Sequence, residues 1–279
     1  MIDVSEPGRV QPLAKWLILN VVGPLVRLLF RPTLEGRENL PDEGPFLLVA
    51  NHSAGIGLAE LVSFASCWLE DSRSEYRLAG FALPIGFKVW PLSAVHRQLG
   101  SVPSTYEGGR QALANGASLL VFPGGDHESL KPVWYNEHVD FAGRVGFARL
   151  ARETGVPMVP MGIQNGALTA PLLFRGQWLS SFFILPRMLG LKRWGISLLG
   201  LLVTVLLWVF LPLTWPWKML AIWLWLGTPL VFMPVIPAPL RFRIGAPLPA
   251  GELFSESAGE EELKEAAAQV ERAVQALVR

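Results

Sequence analysis

At 279 residues the chain is long enough to bury a full core in one large domain or two small ones, and with 51% hydrophobic residues, 11 tryptophans and 17% charged residues it falls toward the membrane class. The net charge of +1 hides a one-sign segment: no acidic residue lies between Glu153 and Glu252, where Arg175, Arg187, Lys192, Arg193, Lys218, Arg241 and Arg243 stand. Cations interleaved with long apolar runs suit an anionic lipid surface and speak against nucleic acid as a partner. The single cysteine, Cys67, excludes an internal disulfide and a cysteine-rich zinc site, and reads as a small buried hydrophobe.

The first residues include Asp3 and Glu6, and the apolar stretch that follows carries Lys15 and Arg27, so the start does not read as a signal peptide. Residues 13–30 predict a helix lying in the membrane interface with Trp16 as its anchor, within an N-terminal segment 1–32. A core follows over 33–170. Pro41-Asp42-Glu43-Gly44-Pro45 is a turn that launches a buried strand ending at His52. A helix is expected over Glu60–Glu70 and another over Ser104–Asn115, closed by Gly116. Ser118–Phe122 reads as a buried strand, Phe141–Thr154 as a basic amphipathic helix, and Val156–Ile163 as a further strand. This alternation predicts an α/β fold with a largely parallel sheet flanked by helices.

The pattern then breaks over 171–239. Trp194–Trp217 and Met219–Leu240 contain no charge, and each approaches a bilayer span of about 20 residues. Trp215-Pro216-Trp217-Lys218 reads as the tip of a hydrophobic helical hairpin, either spanning or re-entrant. Arg187, Lys192 and Arg193 flank one outer end, Arg241 and Arg243 the other; the positive-inside rule then sets the catalytic core on the cytoplasmic face of a membrane. Over 240–279 a strand at Leu240–Ile244 returns to the core. An amphipathic helix then opens at Ser257-Ala258-Gly259-Glu260, which has capping-box spacing.

His52 is the chief candidate for chemistry. An imidazole takes a proton near pH 7, as a general base for a hydroxyl must. Glu60 would orient it and stabilise its charged form. On one straight helix eight residues would separate the pair by about 12 Å, so Ser53–Gly57 must be a loop, with Gly55 and Gly57 letting the chain fold back. After the Ser118–Phe122 strand, Phe122-Pro123-Gly124-Gly125-Asp126-His127-Glu128 offers two glycines whose N–H groups can approach an oxyanion or a phosphate. Asp126, His127, Glu128, His138 and Asp140 match no familiar metal-ligand spacing, and no Gly-x-Ser-x-Gly elbow exists.

Four blocks in order resemble the glycerolipid acyltransferase superfamily, which includes the lysophosphatidate acyltransferases, and within it the monoacylglycerol/diacylglycerol acyltransferase-like branch. Asn51-His52-Ser53 with a downstream acid resembles the catalytic block. Leu99-Gly100-Ser101-Val102-Pro103-Ser104 resembles the acceptor-binding block, Val121–Gly125 with Glu128 the third, and Gly155–Met161 the fourth. Phe141–Phe147 also resembles a segment of this branch. The resemblance implies His52 and Glu60 as catalytic residues and Asn51, Ser101, Phe122, Pro123, Gly124, Gly125, Glu128 and Arg144 as substrate-binding ones. It implies an acyl thioester donor (acyl-CoA or acyl-carrier protein), a lipid acceptor, no metal, no other cofactor and no acyl-enzyme.

The chain departs from the family at three points. Gly57 stands where the best-known pattern has an aspartate. Gly124 replaces the glutamate of Pro-Glu-Gly. Ser104 and Thr105 stand where an arginine is expected. These changes favour a neutral or unusual acceptor over a phosphate-bearing one. The aspartate's absence also keeps open a rival reading, a non-catalytic lipid-binding membrane protein of the same fold.

Overall fold

The structure, a computed structural model, describes residues 6–70, 76–255 and 259–279; the Ser257 capping signal and Asp3 lie outside them. A seven-stranded sheet is built from β1 (Thr33–Glu35), β2 (Leu47–Ala50), β3 (Leu78–Ala82), β4 (Val102–Pro103), β5 (Ser118–Val121), β6 (Met158–Gln164) and β9 (Arg241–Ile244), in the order β1-β9-β6-β2-β5-β3-β4. Every pairing is parallel except β6 with β9. The α/β architecture is therefore as expected. β2 is central and buried on both faces, which is why it reads as an unbroken apolar run. Leu47 and Val49 enter one hydrophobic cluster, Leu48 and Ala50 the other. The C-terminal helix Glu260–Val278 closes the first cluster with Leu263, Val270, Val274 and Val278. The mutually parallel strands β2, β3, β4, β5 and β6 point their carboxyl ends at one edge, where ligands of such sheets bind.

Several elements differ from expectation. The Phe141–Thr154 helix shrinks to Gly146–Thr154, because Ala142 and Gly143 take positive φ and Asp140 Oδ1 accepts from the Ala142 amide at 2.7 Å, which makes a turn instead. The N-terminal helix runs Pro12–Phe30 and is long and apolar enough to cross a membrane. Pro24 cannot donate, and a π turn at Ile18–Val22 precedes it, closed by the Gly23 amide on the Ile18 carbonyl. Val26 and Phe30 are buried on the second cluster, roughly 1.5–3 kcal/mol each. Leu13, Trp16, Val21, Leu25 and Leu28 remain exposed.

The 171–239 segment is more than a hairpin. β7 (Leu172–Gly176) and β8 (Trp194–Ser197) form a separate antiparallel pair. Trp194–Ser197 is thus strand, not the start of a spanning helix. The two hydrophobic helices are Leu198–Phe210 and Trp215–Leu226, 13 and 12 residues. At 1.5 Å per residue they measure roughly 18–20 Å, short of a hydrocarbon core of about 30 Å. The tip is Leu211–Thr214 rather than Trp215–Lys218, since Pro216 starts a helix well. Lys218 Nζ instead donates to the Trp208 carbonyl at 2.6 Å near the end of the first helix. The segment leaves and re-enters the sheet at neighbouring points, for Gln164 of β6 pairs with Arg241 of β9.

Candidate active site

β2 delivers its last residues to the carboxyl edge of the sheet. Asn51 follows it, fully buried, and its side-chain amide donates to the Ile163 carbonyl at 2.8 Å while its oxygen accepts from the Ile163 amide at 2.6 Å. Both ends of the amide are engaged by β6. Asn51 therefore ties the strand end in place.

The turn after it is the loop that the His52–Glu60 spacing demanded. Ala54, Gly55 and Gly57 all have positive φ. Gly55 donates to the Ser129 carbonyl at 2.8 Å, and a Cβ on Gly55 would run into Phe232. The helix Leu58–Glu70 then starts, and Glu60 in its first turn faces back. His52 Nδ1 lies 2.7 Å from Glu60 Oε2. A buried carboxylate can only accept, so the imidazole proton sits on Nδ1 and Nε2 keeps its lone pair. Glu60 is 1% exposed and His52 13%, so the imidazole is reachable and its partner is not. Glu60 also accepts from the Ser53 hydroxyl at 2.5 Å and the Ser53 amide at 3.2 Å. Gly166 closes over this carboxylate, where a Cβ would overlap Glu60 Oε1.

Gly57 explains its own departure from the family pattern. A Cβ there would overlap His52 Cε1, so the glycine is the floor under the imidazole. The acid has moved one helical turn on, and glutamate supplies the added reach.

Glu128 is 1% exposed, and Oε2 accepts from the His52 amide at 3.1 Å, Oε1 from the Asp140 amide at 3.4 Å. It holds the backbone of His52 in place. Burial pushes Glu128 up to about 8, against the pull of Lys131 and the two amides. Lys131 Nζ is 3.7 Å from Oε1, donates to the His138 carbonyl at 2.6 Å, and is pulled down by the same burial. This buried lysine was missed from sequence, where lysine is normally assigned to the surface.

Phe122 stacks obliquely on the His52 ring, with centroids 4.7 Å apart. The Gly125 amide is engaged by the Phe122 carbonyl at 3.1 Å, which leaves Gly124 as the glycine of the pair with no amide hydrogen bond among the described residues. Arg144 packs over Gly125, donating to the Pro123 carbonyl at 2.8 Å and to Asp126 at 3.2 Å. Ser101 is not brought to the site. It precedes β4, level in register with Gly80 and Leu120, and β4 lies three strands from β2, roughly 14 Å. Among the described residues no group of three His, Cys, Asp or Glu side chains could hold a metal ion.

The family model described as Acyltransferase matches residues 31–164, which contain this whole constellation except Gly166 and Phe232. An uncharacterised Mycobacterium tuberculosis protein is 29% identical over 171 residues, covering 60% of this chain and 47% of its own. The Bos taurus DGAT1/2-independent enzyme synthesizing storage lipids is 29% identical over 159 residues, covering 55% and 45%. The chain thus spans a little under half the length of the curated relatives it matches. The crystal structure of the 1-acyl-sn-glycerophosphate (LPA) acyltransferase PlsC from Thermotoga maritima shares the fold, with a TM-score of 0.52 at 18% identity over 95% of this chain and 81% of that one. Over residues 31–164 the chain is thus similar to the Acyltransferase family, and it shares the fold of a solved acyltransferase.

Proposed function

We propose that the protein is a membrane-bound O-acyltransferase that moves a fatty acyl group from an acyl thioester to a hydroxyl of a glycerolipid or related lipid. The observation that carries this reading is the His52–Glu60 pair at 2.7 Å, with no partner for Nε2 among the described residues. His52 Nε2 takes the acceptor's hydroxyl proton as the oxygen attacks the thioester carbonyl. Glu60 stabilises the imidazolium that forms. The tetrahedral intermediate then collapses, the carbon–sulfur bond breaks, and the imidazolium returns its proton to the leaving thiolate. The donor is acyl-CoA or acyl-carrier protein.

A neutral acceptor is favoured. Arg144, the cation that packs over Gly125, already pairs with Asp126 at 3.2 Å. The bovine relative is named for storage lipids, which are uncharged. Membrane association is supported by the exposed apolar residues of the Pro12–Phe30 helix and of the hairpin, where Trp208, Phe210, Trp215 and Trp217 are at least half exposed. The core then faces the cytoplasm by the positive-inside rule.

The test is acyl transfer by detergent-purified protein with labelled acyl-CoA or acyl-carrier protein and a panel of lysophospholipids, monoacylglycerol and diacylglycerol. Label in one lipid, lost in His52→Ala, is the expected result. No transfer to any acceptor from either donor would overturn the reading.

A further inference from the structure

We infer that the cleft beside β8 is a binding site for the phosphate of an anionic phospholipid headgroup. The cleft, of about 400 Å³, is lined by Gln177, Trp178, Ser181, Arg187, Lys192 and Arg193. Three cations converge there with two neutral polar side chains and an indole, a set that suits a phosphate at the edge of an apolar phase.

The cleft is held in shape from behind. Ser180 is buried and donates to the Leu191 carbonyl at 2.5 Å, and Trp194 is buried and donates to the Leu226 carbonyl at 2.7 Å. These two anchors bracket Lys192 and Arg193. The charge is not cancelled internally. Asp126 is 3.7 Å from Arg193, but Arg144 shares that carboxylate at 3.2 Å. Arg187 and the Lys192 ammonium have no acidic partner among the described residues. Burial and then the adjacent Arg193 hold Arg175 below its usual value, a further sign of cation crowding here.

The choice of a lipid rests on the surroundings. Trp178, Phe182, Ile184 and Met188 lie just before Lys192 and Arg193 or beside Arg187 in sequence and are each more than half exposed. Trp223 of the hydrophobic hairpin donates to the Phe182 carbonyl at 3.1 Å, so the cleft and the hairpin are parts of one body. Apolar side chains entering a bilayer would carry these cations to headgroup depth. The site also reaches the catalytic turn, because the Lys192 amide donates to Asp126 Oδ2 at 3.1 Å and Asp126 follows Gly125.

This inference rests on the membrane half of the proposed function and not on the transfer chemistry. The test uses the full chain, binding to phosphatidylcholine vesicles with and without phosphatidylglycerol at low salt. A basic residue at an anionic surface is worth about five-fold in partition, so two are worth about thirty-fold. Arg187→Gln with Lys192→Gln should lose an anionic preference of that size while keeping its binding to neutral vesicles. A control that removes equal charge elsewhere, Lys264→Gln with Arg272→Gln on the exposed face of the C-terminal helix, should keep the preference. An unchanged preference in the cleft variant, or equal loss in the control, would overturn the site. Release from anionic vesicles by soluble CoA in the wild type alone would overturn the lipid assignment in favour of a soluble phosphate ester. Failure to bind neutral vesicles at all would overturn membrane association itself.

Discussion

The backbone amide of His52 donates to Glu128 at 3.1 Å while its ring is held by Glu60 at 2.7 Å, so two glutamates from different parts of the chain fix one base. Glu60 sets which ring nitrogen carries the proton. Glu128 sets where the ring starts from. The division of labour makes the two separable by mutation.

Removing the base should abolish most turnover. His52→Ala is expected to lower kcat by about 10²–10⁴ with little change in Tm. Glu60→Gln should cost about ten- to a hundred-fold, because an amide does not stabilise an imidazolium. Labelled acyl transfer and thermal unfolding of each variant check this; full activity in His52→Ala would exclude the mechanism.

Restoring the family's aspartate should harm rather than help. Gly57→Asp places a Cβ against His52 Cε1 and forces a side chain into a positive φ, itself about 1–2 kcal/mol. Loss of activity is expected, and Gly57→Asp with Glu60→Ala should not recover it. Activity in that double variant would show that the loop can reorganise around an acid at position 57.

Gly166→Ala tests the carboxylate from outside the ring. The new methyl would overlap Glu60 Oε1 and crowd the Ser53 hydroxyl. kcat should fall by about ten-fold or more while KM for the donor holds, since the damage is to proton transfer. A KM effect alone would contradict the geometry.

Glu128 makes stability depend on pH. Its folded pKa of about 8 exceeds the ordinary 4.5, so the folded state keeps a proton that the unfolded chain has lost. Its contribution therefore falls as pH rises from about 4.5 to 8. Lys131, pulled down by burial, gives an opposite slope between its lowered folded pKa and 10.5. Thermal unfolding should show a Tm lower at pH 8 than at pH 6, and Glu128→Gln should flatten that difference. Lys131→Ala should lower Tm more above pH 8, where Glu128 has lost its proton and would be left as an unpaired buried charge, than at pH 6. An unchanged pH slope in Glu128→Gln would remove this carboxyl as the cause.

Much of the site was legible because its chemistry is local. An apolar run ending at His52, then glycines, then Glu60 defines a strand, a tight loop and a helix start, and spacing alone required the loop. What was hidden depends on distant chain. The partners of Asn51 and Glu128, Ile163 and the His52 amide, lie far along the chain and carry no sequence signal. Lys131 could not be read as buried without its carboxylate. Gly166 carries no signal until Glu60 lies beneath it. In the fold, β8 vanished into an uncharged stretch, since hydropathy does not separate a buried strand from a helix. The turn at Ala142-Gly143 carries apolar spacing that continues that of the helix after it, so the sequence alone predicts helix there.

The pairing of Gln164 with Arg241 has a consequence for how this chain can vary. Everything from the end of β6 to the start of β9 leaves and returns through one doorway in the sheet. Its length is therefore decoupled from strand register. Relatives or redesigns could lengthen, shorten or exchange the whole excursion without unzipping a ladder, provided that something still fills the place of Phe232 beneath the loop that bears the base.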